Sequence, residues 1–242
     1  MKTFLITGAS GGIGSSIAKT LAKKGNKLIL VYNTNKKAIE QLEKNLSTKC
    51  EVFIHKCDLT NELEIKSMVQ NIIKSHKKID CLINCAGIAH FEQIQDTTNQ
   101  SFYKVIDNNL KSVVLLTASV SKHMISEKSG KIINISSMWG VVGSSMESLY
   151  SASKGAINAL TLSLAKELGP SNITVNAICP GLIDTKMNKS LSQETINNVV
   201  EETPLQRIGK PQDVANLVEF LSSDKSNFIT GQIITVDGGF SL

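Results

Sequence analysis

Apolar residues along the chain follow two alternating rhythms. Short runs, most of them rich in β-branched residues, occupy Thr3–Thr7, Lys27–Tyr32, Glu51–His55, Cys81–Asn84, Lys131–Ser136, Ile173–Ile178 and Gln232–Val236. Longer stretches with helical spacing lie between them. Ile13, Ile17 and Leu21 recur every four residues, and Leu63, Met68, Val69, Ile72 and Ile73 form a second stripe. Strand and helix patterns in alternation predict right-handed crossovers, hence a parallel sheet covered on both faces. The expected fold is α/β: one doubly wound domain over residues 1–242, with a seven-stranded parallel sheet and helices on both sides. Two segments break the rhythm. One is "SSMWGVVGSSMES" from Ser136 to Ser148. The other runs from Gly181 to Gly209 and is polar, with a helical pattern near Glu194–Glu201. Long irregular segments in a compact domain are usually binding loops or lids.

Composition narrows the picture without changing it. A length of 242 residues suits one large α/β domain and is short for two. The 41% hydrophobic and 19% charged content exclude a disordered or fibrous chain. Lys+Arg minus Asp+Glu is 26 − 21 = +5, but the lysines are scattered and no stripe joins basic to aromatic residues, so nucleic acid is not an expected partner. The five cysteines are odd in number and lack a C-x-x-C. Cys57, Cys81, Cys85 and Cys179 sit in or beside apolar runs, as reduced buried thiols of a cytoplasmic protein do, and no metal site is expected. The first apolar run, Phe4–Ile6, falls short of the roughly 7–15 residues of a signal-peptide core. No run approaches the ~18 residues of a membrane span, so no membrane partner is expected.

The first strand leads directly into "TGASGGIG", Thr7 to Gly14, and a helical pattern starts there. Glycines permit a tight turn and a close approach of a pyrophosphate, and a helix N-terminus offers free N–H groups and the positive end of its dipole. A glycine loop at the first strand–helix junction of a βαβ series is the context in which it binds a dinucleotide, which makes the doubly wound domain Rossmann-type. Farther on, Phe102, Val105, Ile106, Leu110, Val113 and Val114 form an apolar stripe in which Asn109 takes an apolar position. A buried amide without partners costs roughly 1–3 kcal/mol, so Asn109 either fixes a local polar network or serves chemistry. In "LYSASKGA", Tyr150 and Lys154 stand four residues apart and share a helix face that Ile157 and Thr161 continue inward. Ser137 precedes Tyr150 by thirteen residues, and its neighbour Ser136 points to the opposite side of the strand.

With the spacing G-x-x-x-G-x-G at Gly8, Gly12 and Gly14, and Asn109, Ser137, Tyr150 and Lys154 in that order, the chain resembles the short-chain dehydrogenase/reductase family along nearly its whole length. The resemblance implies a catalytic set of Asn109, Ser137, Tyr150 and Lys154. It implies cofactor contacts from Gly8, Ser10, Gly12, Ile13 and Gly14 in the loop and from Asn33 after the second strand. Further contacts come from Asp58 and Leu59 in "CDL", from Asn84, Ala86 and Gly87 in "NCAG", from Tyr150 and Lys154, and from Pro180, Gly181, Ile183 and Thr185 in "CPGLIDT". In that family Tyr150 is the general acid. Lys154 and the nicotinamide charge lower its pKa from the usual value near 10, Ser137 donates a hydrogen bond to the substrate oxygen, and Asn109 holds a water that relays protons to the lysine. The position where NAD-dependent members carry an acid is Tyr32, followed by Asn33, with Lys36 and Lys37 just beyond. That implies NADP(H) in preference to NAD(H), although Gly11 stands where many NADP-dependent members carry Arg.

The segment from about 186 to 208 corresponds to the family's substrate lid, and "ITGQIITVDGG" to a final strand that usually packs in a homotetramer. Within the family the chain is most similar to 3-oxoacyl-[acyl-carrier-protein] reductases, which implies NADPH-dependent reduction of a carrier-borne ketone to a secondary alcohol in fatty acid synthesis. Some of these dock their acidic carrier with basic residues beside the site. Lys128 matches one such position, and Ser171 stands near a second that lacks the base. The stretch around Trp139 resembles a sister group, the reductases of 5-aminopentanone-modified translation elongation factor P. A non-catalytic NADP-binding regulator would predict a broken catalytic set, and here all four residues are present.

Overall fold

A computed structural model describes residues 2–188 and 191–242. Seven strands form one sheet: β1 (Thr3–Ile6), β2 (Lys27–Tyr32), β3 (Glu51–Lys56), β4 (Cys81–Asn84), β5 (Gly130–Ile135), β6 (Ile173–Pro180) and β7 (Ile233–Val236). Their order is β3-β2-β1-β4-β5-β6-β7, and every neighbouring pair is parallel. The helices are α1 (Gly12–Leu21), α2 (Lys36–Leu46), α3 (Glu62–His76), α4 (Asn99–Ile106), α5 (Ser112–Ser126), α6 (Trp139–Val142), α7 (Ser148–Leu168), α8 (Gln193–Glu202) and α9 (Pro211–Ser222). Each predicted strand is present, with ends shifted by at most two residues. The central strands are buried from end to end because helices cover both faces, which is why they read as continuous apolar runs rather than alternating ones.

Two apolar layers flank the sheet. Ile6, Ile17, Leu21, Leu30, Val214 and Val218 pack on one side, joining β1 and β2 to α1 and α9. Leu5, Ile65, Ile72, Leu82, Leu116 and Val120 pack on the other, joining β1 and β4 to α3 and α5. Residues alternate between the layers along each strand, as Leu5 and Ile6 do, because strand side chains point to opposite faces.

A polar ladder runs through the second layer. Asn84 and Asn134 are paired across β4 and β5. Asn84 Nδ2 donates to Asn134 Oδ1 at 2.9 Å and to Thr117 Oγ1 of α5 at 3.1 Å. Asn134 Nδ2 donates to Thr161 Oγ1 of α7 at 2.9 Å, and Thr161 donates to Ile157 O at 2.8 Å. All of these side chains are buried. The ladder fixes the depth and rotation of α5 and α7 on the sheet, which apolar packing alone leaves loosely specified.

The irregular segment from Ser136 to Ser148 is more ordered than its composition suggests. It contains α6, whose first N–H, from Trp139, is capped by Ser137 Oγ at 3.1 Å, and it turns at Gly143, where φ is +76°. Among the described residues, no helix is long and apolar enough to cross a membrane.

Removing the centre of the ladder should take an acceptor from Asn84 and a donor from Thr161 in a dry environment, leaving each with one of its two partners. Asn134→Leu is expected to lower unfolding free energy by roughly 2 kcal/mol or more, on the scale of 1–3 kcal/mol per orphaned polar group. Urea denaturation at fixed protein concentration would measure this, and an unchanged midpoint would show that the ladder contributes nothing to stability.

Candidate active site

The chain crosses from the β1–β2–β3 side of the sheet to the β4–β7 side at β1 and β4. Crevices form outside the C-terminal strand ends at such a reversal. A cleft of about 1290 Å³ opens there. Its walls include the loop after β1, the ends of β2 and β3, the segment after β4, the Ser136–Tyr150 stretch, Pro180–Asn188 and one side of α8.

Gly8 adopts φ +63°, and a Cβ there would stand 2.9 Å from the Ala86 backbone. Glycine is therefore required for the β1 loop to lie against the β4 loop. A Cβ on Gly12 would meet Thr185 Cγ2 at 2.7 Å, so this glycine keeps open the contact between the loop and the segment after β6. The start of α1 has no side-chain cap, and among the described residues the N–H groups of Gly12, Ile13 and Gly14 find no protein acceptor. Uncapped donors at a helix N-terminus, opening on a cleft, fit the pyrophosphate of a dinucleotide.

Most of the predicted contacts meet in this cleft. Gly8, Ser10, Gly12, Ile13, Gly14, Asn33, Asp58, Leu59, Ala86 and Gly87 line it, as do Ser137, Tyr150, Lys154, Pro180, Gly181, Ile183 and Thr185. Asn84 does not line it. Its Nδ2 donates to Asn134 and Thr117 in the ladder below. Asn109 also lies beneath the wall. It sits in a single π-type turn, Asp107–Lys111, that joins α4 to α5. Its Oδ1 accepts from Ile88 N at 2.8 Å while its Nδ2 donates to Ile88 O at 3.0 Å and to Ser153 Oγ at 3.2 Å. The amide thus satisfies both backbone groups of Ile88 and ties the β4 loop to α7. The extra residue of the π turn aims it there, a common use of such turns at functional sites.

Tyr32 is buried and packs in the core, and the cleft at the end of β2 is lined by Asn33 and Thr34 with no carboxylate. Lys36 and Lys37 do not reach the cleft, and Lys36 pairs with Glu40 at 3.5 Å. Lys19 of α1 lines it. Cys85 is half-buried in the wall rather than in the core, with its thiol pushed up to about 12 by burial. Lys128 precedes β5 at its N-terminal edge. Six strand residues, roughly 20 Å at 3.3 Å each, separate it from the cleft of its own chain. It therefore does not flank this cleft.

Ser137, Tyr150 and Lys154 converge. Ser137 and Tyr150 both line the cleft, and Ser136, on the other side of the backbone, donates to Lys154 O at 3.0 Å. Lys154 is buried, its Nζ donates to Ile135 O at 3.0 Å, and it stands 5.8 Å from the Tyr150 ring centre. Burial lowers Lys154 to about 8. Tyr150 differs from the sequence expectation: burial pushes it up to about 12, and the nearby Ser137 side chain offsets little of this. The lysine faces the ring rather than the hydroxyl, so it does not counter desolvation. At neutral pH the phenol is therefore protonated.

Glu147 was not anticipated. Its local sequence reads as a polar loop, yet it is only 8% exposed and lines the cleft one helical turn before Tyr150. Burial pushes its carboxyl up to about 7, with the nearby Trp139 side chain opposing the shift in part. Trp139 in turn packs edge-on against Phe240, with ring centres 5.3 Å apart.

The family model described as Enoyl-(Acyl carrier protein) reductase, one of the short-chain dehydrogenase/reductase models, matches residues 8–241. An uncharacterized oxidoreductase of Bacillus subtilis, YmfI, is 40% identical over 99% of this chain and 98% of its own. The 3-oxoacyl-[acyl-carrier-protein] reductase FabG of Staphylococcus epidermidis is 37% identical over 100% of this chain and 99% of its own. A solved short-chain type dehydrogenase/reductase from Mycobacterium ulcerans superposes with a TM-score of 0.95 at 29% identity, covering 99% of this chain and 90% of that one. The chain belongs to the short-chain dehydrogenase/reductase family, oxidoreductases that bind nicotinamide cofactors.

Proposed function

We propose that the protein reduces a ketone to a secondary alcohol with NADPH, with Tyr150 as proton donor. The observation that carries this reading is the convergence of Ser137, Tyr150 and Lys154 at the mouth of a cleft whose other end is an uncapped helix N-terminus. The β1 loop, Asn33, Asp58, Leu59, Ala86, Gly87 and the Pro180–Thr185 segment would hold the nicotinamide cofactor, which would supply a hydride when bound. Ser137 donates a hydrogen bond to the carbonyl oxygen where negative charge develops. Tyr150 transfers its proton to that oxygen, and its raised pKa keeps the proton available at neutral pH. Lys154 would hold the nicotinamide ribose, and Asn109 fixes the loop and helix on which these groups stand.

The substrate reading follows the relatives named 3-oxoacyl-[acyl-carrier-protein] reductase: a 3-oxoacyl chain on an acyl carrier protein, reduced to the 3-hydroxyacyl form in the cytoplasm. The segment from about 186 to 208 would act as lid, although residues 189–190 lie outside the described residues. Leu191 and, from α8, Thr195 and Val199 line the cleft. Exposed Val114, Ile125, Leu162 and Phe228 provide apolar surface for a homotetramer. A second reading, reduction of 5-aminopentanone-modified elongation factor P, is favoured by the Trp139–Glu147 wall, which sets an acid in the cleft.

On acetoacetyl carrier protein the wild type should consume NADPH. Tyr150→Phe should reduce kcat by about 10²–10⁴-fold, the usual worth of a positioned general acid, with NADPH affinity largely kept. Unchanged turnover would remove Tyr150 from the mechanism, and turnover of the modified elongation factor alone would favour the second substrate.

Fluorescence titration should show tighter binding of NADPH than of NADH, because no carboxylate at the end of β2 repels a 2′-phosphate. Equal affinities would overturn the cofactor assignment.

Lys154 carries its charge below about 8 and loses it above, while Tyr150 stays protonated to about 12. The kcat/KM for reduction should therefore fall as pH rises through about 8. Lys154→Arg, whose guanidinium stays charged, should move this limb upward even where it lowers the rate. A pH profile in which both proteins share the limb would assign it to another group.

A further inference from the structure

Trp139 lines the cleft two residues after Ser137, and the main chain around it is tied down at three points. Its own N–H donates to Ser137 Oγ at 3.1 Å, Met138 N–H donates to Pro180 O at 2.9 Å, and Gly140 O accepts from Asn158 Nδ2 of α7 at 3.0 Å. The first of these bonds uses a lone pair of the serine oxygen and leaves its proton free for a ligand. Together they place the backbone of Trp139 but not its ring, which keeps a choice of rotamers about two side-chain torsions. The ring that selects among them is Phe240. It meets the indole edge-on, with centres 5.3 Å apart and planes at 84°, a favoured arrangement of aromatic pairs.

Among the described residues Phe240 does not line the cleft, and it stands on the turn that follows β7. That turn is built around one carboxylate. Asp237 Oδ1 accepts from Gly239 N at 3.1 Å, and Oδ2 accepts from Ser241 N at 3.0 Å and Ser241 Oγ at 2.5 Å. The residues on either side of Phe240 are therefore held by the same group. Gly238 has φ +70°, and a Cβ on it would stand 2.7 Å from Thr203 Cγ2, so glycine is required for the turn to lie on the end of α8. Gly238 O accepts from Leu205 N at 3.2 Å, and Thr203 Oγ1 donates to Val199 O at 2.6 Å. Val199, like Trp139, lines the cleft. One turn outside the cleft is thus attached to two of its walls.

We propose that Phe240 is a specificity-determining positioning residue: it fixes the Trp139 indole as a wall beside the reacting carbonyl, so that the site takes ketones with a slim group beyond the carbonyl and rejects those branched there. The proposal rests on the ketone-reductase reading and adds to it the shape of substrate that the site takes. A branched group would fit only if the indole turned, and Phe240, backed by the Asp237 turn, blocks that rotation. Close-packed walls discriminate between substrates of different bulk because neither side yields. Phe240 acts through Trp139 and not by contact with the ketone.

The test uses two N-acetylcysteamine thioesters of 3-oxo acids that differ only in the group beyond the ketone, methyl in one and tert-butyl in the other. The readout is the ratio of their kcat/KM values with NADPH. Phe240→Ala should lower the methyl-to-tert-butyl ratio by about tenfold or more, the scale on which a rigid apolar pocket senses a methylene or two. The change should lie chiefly in KM for the tert-butyl compound. Phe240→Tyr, which keeps the aromatic edge, should hold the wild-type ratio. Trp139 is the single tryptophan of the chain, so its emission reports on the wall without turnover. Acrylamide should quench it more strongly in Phe240→Ala and to the wild-type extent in Phe240→Tyr. With NADP+ bound, the methyl thioester should change this emission at lower concentration than the tert-butyl thioester in the wild type, and the two midpoints should converge in Phe240→Ala. Acrylamide quenching that does not change in Phe240→Ala overturns the proposal. Size-dependent binding that is lost in Phe240→Ala, without NADPH consumption by any variant, upholds the wall and overturns the ketone-reductase reading. Consumption of NADPH with the same ratio in wild type and Phe240→Ala does the reverse. If Phe240→Ala fails to bind NADPH, Phe240→Leu, which keeps apolar bulk without an aromatic edge, takes its place with shifts expected in the same direction.

Discussion

The hydrogen bond from Asn134 to Thr161 joins the middle of the sheet to the helix that carries Tyr150 and Lys154. A sheet–helix interface made of Ile, Val and Leu tolerates small slides and rotations, because dispersion contacts are non-directional. An amide–hydroxyl pair in a dry layer does not, since a slide of an ångström strands two polar groups. Asn84 extends the constraint to β4 and α5, and Asn109 extends it from the π turn to the β4 loop and Ser153. Three buried asparagines thus determine where the reactive side chains stand, although none of their side chains opens directly into the cleft.

This scaffold has electrostatic consequences. A site carved between buried elements is poorly solvated at its base, so ionisable groups buried there move toward their neutral forms. Lys154 falls, and Tyr150 and Glu147 rise. For proton donation to an alkoxide the shift of Tyr150 is useful, because the acid form dominates at neutral pH. For Glu147 the same physics favours the neutral carboxyl.

The glycine loop shows the opposite economy. At the start of α1 the chain leaves donors open instead of burying them, and Gly8 and Gly12 give up side chains so that the β4 loop and the segment after β6 can close around the same space. Rigid walls and open donors together suit an anion that must be held the same way in every turnover.

The seven strands, their parallel arrangement and the glycine cradle were legible in the sequence, because local steric preference and apolar periodicity act over a few residues. The oddity of Asn109 was legible too, as a polar residue at an apolar position. What it bonds was not, because Ile88 and Ser153 reach it only through the tertiary fold. Asn84 sits in a motif that suggests a cofactor contact, whereas the bonds of its Nδ2 to Thr117 and Asn134 follow only from packing. Glu147 reads locally as a polar loop residue, and its burial beside Trp139 and Phe240 depends on chain segments far apart in sequence. The sequence by itself determined the elements and the residue types available for chemistry. Tertiary structure decided which polar groups are dry, paired or open to a ligand, since desolvation is a property of everything packed around an atom and not of its neighbours along the chain.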